Sequence, residues 1–112
     1  IVVKRKGAAH VIGYSDMPPI GGLKPCANIM FDSLGQTGFD EAVCVVLTGM
    51  GADGTNGILS LGKKKSVHVI AQDENSCIVY GMPRAIYEAG VVDEVVALSK
   101  VAETITKNVG VK

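Results

Sequence analysis

The residues Gly49-Met50-Gly51-Ala52-Asp53-Gly54 concentrate the chemistry this sequence offers. They follow a continuous apolar run, Ala42-Val43-Cys44-Val45-Val46-Leu47, and precede Ile58, Leu59 and Leu61, which mark a short helix ending at Gly62. Taken literally the turn is G-x-G-x-x-G between a strand and a helix, and the acidic pair Asp73-Glu74 lies about 20 residues on, as a dinucleotide fingerprint requires. Asp53 argues against that reading. A helix N-terminus binds pyrophosphate through its unpaired N–H groups and positive dipole end, and a carboxylate there repels phosphate while being held in its own charged form. A short acid kept ionised at the top of a strand suits orienting a histidine and stabilising its imidazolium during nucleophilic catalysis. The same position serves equally as an N-cap, which Asp favours.

The elements that must position this turn follow from the pattern around it. Ala42 to Leu47 has no polar alternation, as expected of a strand covered on both faces in a parallel sheet. Ser66 to Ala71 reads as a second strand, and Val91 to Leu98 as a third, interrupted by Asp93-Glu94. Between them, Asp73 to about Tyr80 reads as a helix with Asp73 as its N-cap, and Pro83 to Ala89 as another that stops at Gly90. Ser99 is expected to cap a closing helix with Val101, Ile105 and Val109 along one side and Lys107 near its end. Upstream, Ile1–Arg5 and His10–Tyr14 stand at hairpin spacing. Ser15 to Pro25, with three of the four prolines, must be a loop. Cys26 to about Thr37 carries Ile29, Met30, Phe31 and Leu34 at helical spacing. Strands alternating with helices predict class α/β: a parallel, doubly wound, Rossmann-like sheet with helices on both faces and an N-terminal β-hairpin.

Composition bounds the partners. With 112 residues, 47% hydrophobic and 4% aromatic, the chain suits one globular domain with an aliphatic interior, or a piece of one. Eleven basic and eleven acidic residues give no net charge, hence no general field toward nucleic acid or an anionic membrane. Three cysteines, Cys26, Cys44 and Cys77, form no C-x-x-C pair and read as reduced thiols of a cytoplasmic protein, with no metal site and no cofactor implied. No apolar run reaches the roughly 18 residues of a membrane span, and no signal-peptide pattern opens the chain. Ile1-Val2-Val3-Lys4-Arg5 already reads as a strand, so an upstream segment is expected.

The run Val45 to Gly54, followed by Ile70-Ala71-Gln72-Asp73-Glu74-Asn75-Ser76-Cys77-Ile78-Val79-Tyr80-Gly81-Met82-Pro83-Arg84, closely resembles the CheB-type methylesterases of bacterial chemotaxis. Pro18-Pro19, Lys24-Pro25 and Gly90 to Leu98 extend the resemblance over nearly the whole chain, residues 1–112, as the C-terminal part of the catalytic domain. The resemblance implies hydrolysis of γ-glutamyl methyl esters on methyl-accepting chemoreceptors, with glutamine deamidation in many members. It places the acid of a Ser-His-Asp triad at Asp53 and gives the backbone N–H of Met50 a part in holding the oxyanion. The family's nucleophile, in a Ser-Thr-Gly-Gly-like turn, and its base, in a His-Met-Pro-like segment, belong to motifs that these residues do not contain. Cys26 stands where the family usually has serine, and Asn28 where it usually has aspartate.

The remaining chemistry-bearing residues read plainly. His68 lies mid-strand, where an imidazole packs or hydrogen-bonds, and His10 lies in the hairpin, away from any base motif. Ser15, Ser33, Ser60, Ser66, Ser76 and Ser99 lack a sharp glycine elbow. Cys77 reads as a small packed thiol. Arg84 reads as a solvated helix residue or a contact to acidic receptor surface, and Lys63-Lys64-Lys65 as a solvated helix end. By itself the chain is expected to have no esterase activity. A non-catalytic interaction module and, behind it, a dinucleotide-binding domain stay open as alternatives. Half of a doubly wound sheet leaves an unpaired edge, so association is expected with the missing N-terminal half or with a second copy.

Overall fold

A computed structural model describes residues 2–6, 9–13, 27–51 and 54–109. The proline-rich stretch read as a loop, with Cys26 and Asp53, lies outside the described residues. The chain packs as two compact units, Ile1–Asp40 with Asp53–Ser66 and Glu41–Ala52 with Val67–Lys112.

In the first unit the β-prone runs pair as expected: β1 (Val2–Lys6) runs antiparallel to β2 (Ala9–Gly13), in register from Val2↔Gly13 to Lys6↔Ala9. Helix α1 (Ala27–Leu34) is tied to β1 where the Val3 N–H donates to Ser33 Oγ at 2.8 Å. Helix α2 (Thr55–Gly62) approaches α1 closely because Gly57 has no side chain. A Cβ there would lie 2.8 Å from Phe31 Cβ and 3.0 Å from Asn28 Cα. Ile58 and Leu61 are buried on α2, each contributing about 1.5–3 kcal/mol by leaving water. Gly54 enters α2 at φ 94°, a left-handed conformation that only glycine adopts without strain. The lysine run after α2 is not all solvated. Lys65 Nζ donates to the carbonyls of Thr37, at 3.0 Å, and Phe39, so its charge is held against the turn that precedes β3.

In the second unit β3 (Glu41–Val46), β4 (Ser66–Gln72) and β5 (Glu94–Val96) form a parallel sheet in the order β3-β4-β5. The β4–β5 register runs from Ile70↔Glu94 to Gln72↔Val96. Helix α3 (Gly81–Glu88) follows β4 and ends at Gly90, φ 78°, while a 3-10 turn (Leu98–Lys100) and α4 (Val101–Val109) follow β5. The expected α/β class is present as part of a domain. Continuous burial falls on the middle strand β4, from Val69 to Gln72, rather than on β3, where Cys44 and Val46 are buried and Leu47 beyond the strand end is 41% exposed. An edge strand has a neighbour on one side only.

Two expected helices differ. Residues 73 to 80 form turns, not a helix. Asp73 Oδ1 does accept the Ser76 N–H at 3.0 Å, as an N-cap would. The amides of Ile78 and Val79, which would continue a helix, donate instead to Thr48 Oγ1 at 3.1 and 2.9 Å. Long-range partners outcompete the local ladder. The closing helix starts through the 3-10 turn without a serine cap, buries Val101 and Thr104, and leaves Val109 51% exposed, since one turn beyond Ile105 the helix has left the sheet's cover.

Candidate functional site

At the carboxyl end of β3 the chain must turn sharply, and glycines allow it: Gly51 has φ 88°, and Gly49 lies where a Cβ would meet Met82 Sδ at 2.7 Å. The turn is clamped from both sides. The Thr48 N–H donates to Gln72 Oε1 at 2.7 Å, the Gly49 N–H to the Val79 carbonyl at 2.8 Å, and the Met82 N–H to the Gly49 carbonyl at 2.9 Å. Thr48 Oγ1, besides accepting from Ile78 and Val79, donates to the Val79 carbonyl at 3.0 Å. The two sequence motifs are therefore joined in space, through backbone bonds that side-chain identity does not advertise.

Between these clamps the Met50 amide donates to no group among the described residues. The Met50 side chain is 84% exposed, and nearby Ile78 is 93% exposed. Gly81, the first residue of α3, brings its backbone against the turn: a Cβ there would stand 3.0 Å from Gly51 N and 3.3 Å from Met50 Cα. Among the described residues the Met50 N–H is thus left without an acceptor at the carboxyl end of a parallel strand.

The scaffold beneath is polar and fully satisfied. Gln72, only 1% exposed, donates through Nε2 to the Ser76 carbonyl at 2.8 Å and Ser76 Oγ at 3.2 Å. Ser76 Oγ donates to Asp73 Oδ1 at 2.5 Å and accepts the Leu98 N–H at 3.0 Å. Gln72, Thr48 and Ser76 are the residues that sequence reasoning missed as site components. Their only signal was the position of Gln72 as a lone polar residue closing an apolar strand.

Of the predicted site residues, Met50 sits in the clamped turn, and Asp53 lies outside the described residues. His68 is not brought to this end. It precedes Gln72 by four residues, about 13 Å along a strand at roughly 3.3 Å per residue. Its Nε2 lies 2.7 Å from Glu94 Oε2, and Glu94 also accepts from Asn108 Nδ2 at 2.9 Å and pairs with Lys107 Nζ at 3.1 Å. The hydrogen bonds from His68, Asn108 and Lys107, in that order, pull the Glu94 carboxyl down to about 2. His68 thus hydrogen-bonds structurally, as a mid-strand imidazole should.

The two described cysteines are unpaired thiols. Cys44, 3% exposed, is a free thiol pushed up to about 11 by burial. Cys77 is free and half-buried; burial raises its pKa, a hydrogen bond with Thr48 opposes, and Asp73 and Glu74 add to the rise. Arg84 Nε pairs with Glu88 at 2.9 Å, one turn along the exposed side of α3. The Gly57 N–H near the start of α2 donates to Asn28 Oδ1 at 2.8 Å, and Asp73 Oδ1 accepts the Ser76 N–H. Among the described residues no cluster of His, Cys, Asp or Glu is placed to hold a metal ion, and no helix is long and apolar enough to cross a membrane.

A parallel sheet with a clamped glycine turn at its carboxyl end defines part of an α/β domain whose candidate site is at the strand tips. Comparison with known proteins narrows the class. A model of the family described as CheB methylesterase matches residues 2–105, and the chain belongs to that family. The protein named protein-glutamate methylesterase/protein-glutamine glutaminase of Desulfotalea psychrophila is 39% identical over 109 residues, which cover 97% of this chain and 30% of its own length. The protein of the same name from Lawsonia intracellularis is 45% identical over 100 residues, 89% of this chain and 28% of its own. The solved catalytic domain of the Thermotoga maritima CheB methylesterase superposes with a TM-score of 0.86 at 27% identity, over 95% of this chain and 56% of that one. The chain thus spans about 30% of the length of these two relatives.

Proposed function

We propose that this chain is the C-terminal part of the catalytic domain of a cytoplasmic protein-glutamate methylesterase, acting on γ-glutamyl methyl esters of chemoreceptors and, as its relatives' names say of them, on glutamine side chains. In this reading a serine attacks the ester carbonyl while a histidine takes its proton and returns it to the departing methanol; water, deprotonated by the same histidine, then cleaves the acyl-serine, freeing the glutamate and restoring the serine hydroxyl. Both residues come from sequence outside these 112. Asp53 holds that histidine in the right tautomer and stabilises the imidazolium. The Met50 N–H donates to the oxyanion of the tetrahedral intermediate. The observation that carries the reading is the Met50 amide, which donates to no group among the described residues on a turn whose two sides are both clamped, in a chain of this family.

The test is a chimaera in which this chain replaces the segment it matches in the Desulfotalea psychrophila relative, assayed by methanol release from a methylated receptor fragment. The chimaera is expected to hydrolyse the ester, Asp53→Ala to lower kcat by about four orders of magnitude, and the 112 residues alone to release no methanol. Full activity in Asp53→Ala would remove Asp53 from the mechanism. Hydrolysis by the chain alone would overturn the assignment of nucleophile and base to other sequence.

A further inference from the structure

The centre of the second unit contains one polar side chain whose bonds all run to the candidate site. Gln72 ends the buried stretch Val69-Ile70-Ala71, and at 1% exposure it occupies space that an apolar residue would fill. Its amide makes three hydrogen bonds, accepting the Thr48 N–H and donating to the carbonyl and hydroxyl oxygens of Ser76. Thr48 precedes Gly49, whose N–H and carbonyl are both taken, by Val79 and Met82. The position of the Met50 amide is therefore determined through a chain that starts at Gln72, and a buried amide so placed is costly to leave unpaired.

We propose that Gln72 is a positioning residue for the reaction: with Ser76 behind it and Thr48 in front, it sets where the Met50 N–H points. This rests on the esterase reading above. Gln72 touches no reacting atom and acts only by holding the turn. A displacement of about 1 Å in such a donor costs about a hundredfold in rate.

In the same chimaera, Gln72→Met keeps the volume and removes the three bonds. It is expected to lower kcat by about ten- to a hundredfold while KM stays within about twofold, because the turn and not the receptor contact is disturbed. Gln72→Glu adds a readout that packing loss alone would not move. A protonated carboxyl accepts from Thr48 and donates to the Ser76 carbonyl as the amide does, whereas the ionised form has no donor, so the ratio of its kcat to that of the parent rises as pH falls. Should Gln72→Met not fold, the pH dependence of the Gln72→Glu ratio decides the proposal by itself. Wild-type kcat in Gln72→Met, or a Gln72→Glu ratio flat with pH, would overturn the proposal while Asp53→Ala still abolished hydrolysis. Hydrolysis undiminished in Asp53→Ala but lost in Gln72→Met would instead overturn the triad assignment alone.

Discussion

At the residue scale, charge and burial decide which side chains respond to their surroundings. Glu94 is held near a pKa of about 2, below the 4.5 of a free glutamate. A carboxyl with a depressed folded-state pKa stabilises the fold fully above its unfolded value, and that contribution is lost as pH falls from about 4.5 to about 2. The melting-temperature difference between the wild type and Glu94→Gln is therefore expected to be largest near neutral pH and to narrow as pH drops through that window. A difference constant down to about pH 2.5 would show that the His68, Asn108 and Lys107 bonds do not stabilise the charged form. Cys44, buried and pushed up to about 11, stays protonated at neutral pH. Iodoacetamide is expected to label Cys77 before Cys44 in the native chain, with Cys44 reacting only in denaturant, as mass spectrometry of the digested protein would read.

At the element scale, close backbone approach and long-range hydrogen bonds override local preference. Residues 73 to 80 carry a capping aspartate and yet form turns, since Thr48 Oγ1 and Gln72 offer their backbone groups partners that a short helix could not match. Where α1 meets α2, Gly57→Ala would force a Cβ to 2.8 Å from that of Phe31. Overpacking of about 1–3 kcal/mol outweighs the helix-propensity gain of up to about 1 kcal/mol, so urea denaturation is expected to find the variant less stable. Gly81→Ala pushes instead on Gly51 N and Met50 Cα, and in the chimaera it is expected to cost more in kcat than in melting temperature. The exposed Arg84–Glu88 pair is worth little: Arg84→Ala should leave the denaturation midpoint almost unchanged in the same assay.

At the scale of the whole molecule, apolar residues stand exposed beside the carboxyl ends of the strands. Leu47, Met50, Ile78 and Val79 are all exposed, and the chain matches only 56% of the solved catalytic domain. Sedimentation velocity of the isolated 112 residues is expected to show a weight-average coefficient that rises with concentration, and the rise should be suppressed in the chimaera. A concentration-independent monomer would mean that the exposed residues are covered within the chain itself.

The class of fold, its parallel sheet with an N-terminal hairpin, and the glycine-rich turn after β3 were legible from sequence, because hydrophobic period and glycine placement are local properties and Gly49 to Gly54 interrupts them in a characteristic way. Asp53 and Met50 came from motif likeness, which needs only adjacency along the chain. What tertiary structure alone decided was the order of the strands, the turn at 73–80, the engagement of Lys65 with Thr37 and Phe39, and the bond between Gln72 and the Thr48 N–H. Each depends on a hydrogen bond between residues more than twenty positions apart, or on which strand has neighbours on both sides, and such pairings are set by the packing of the chain as a whole.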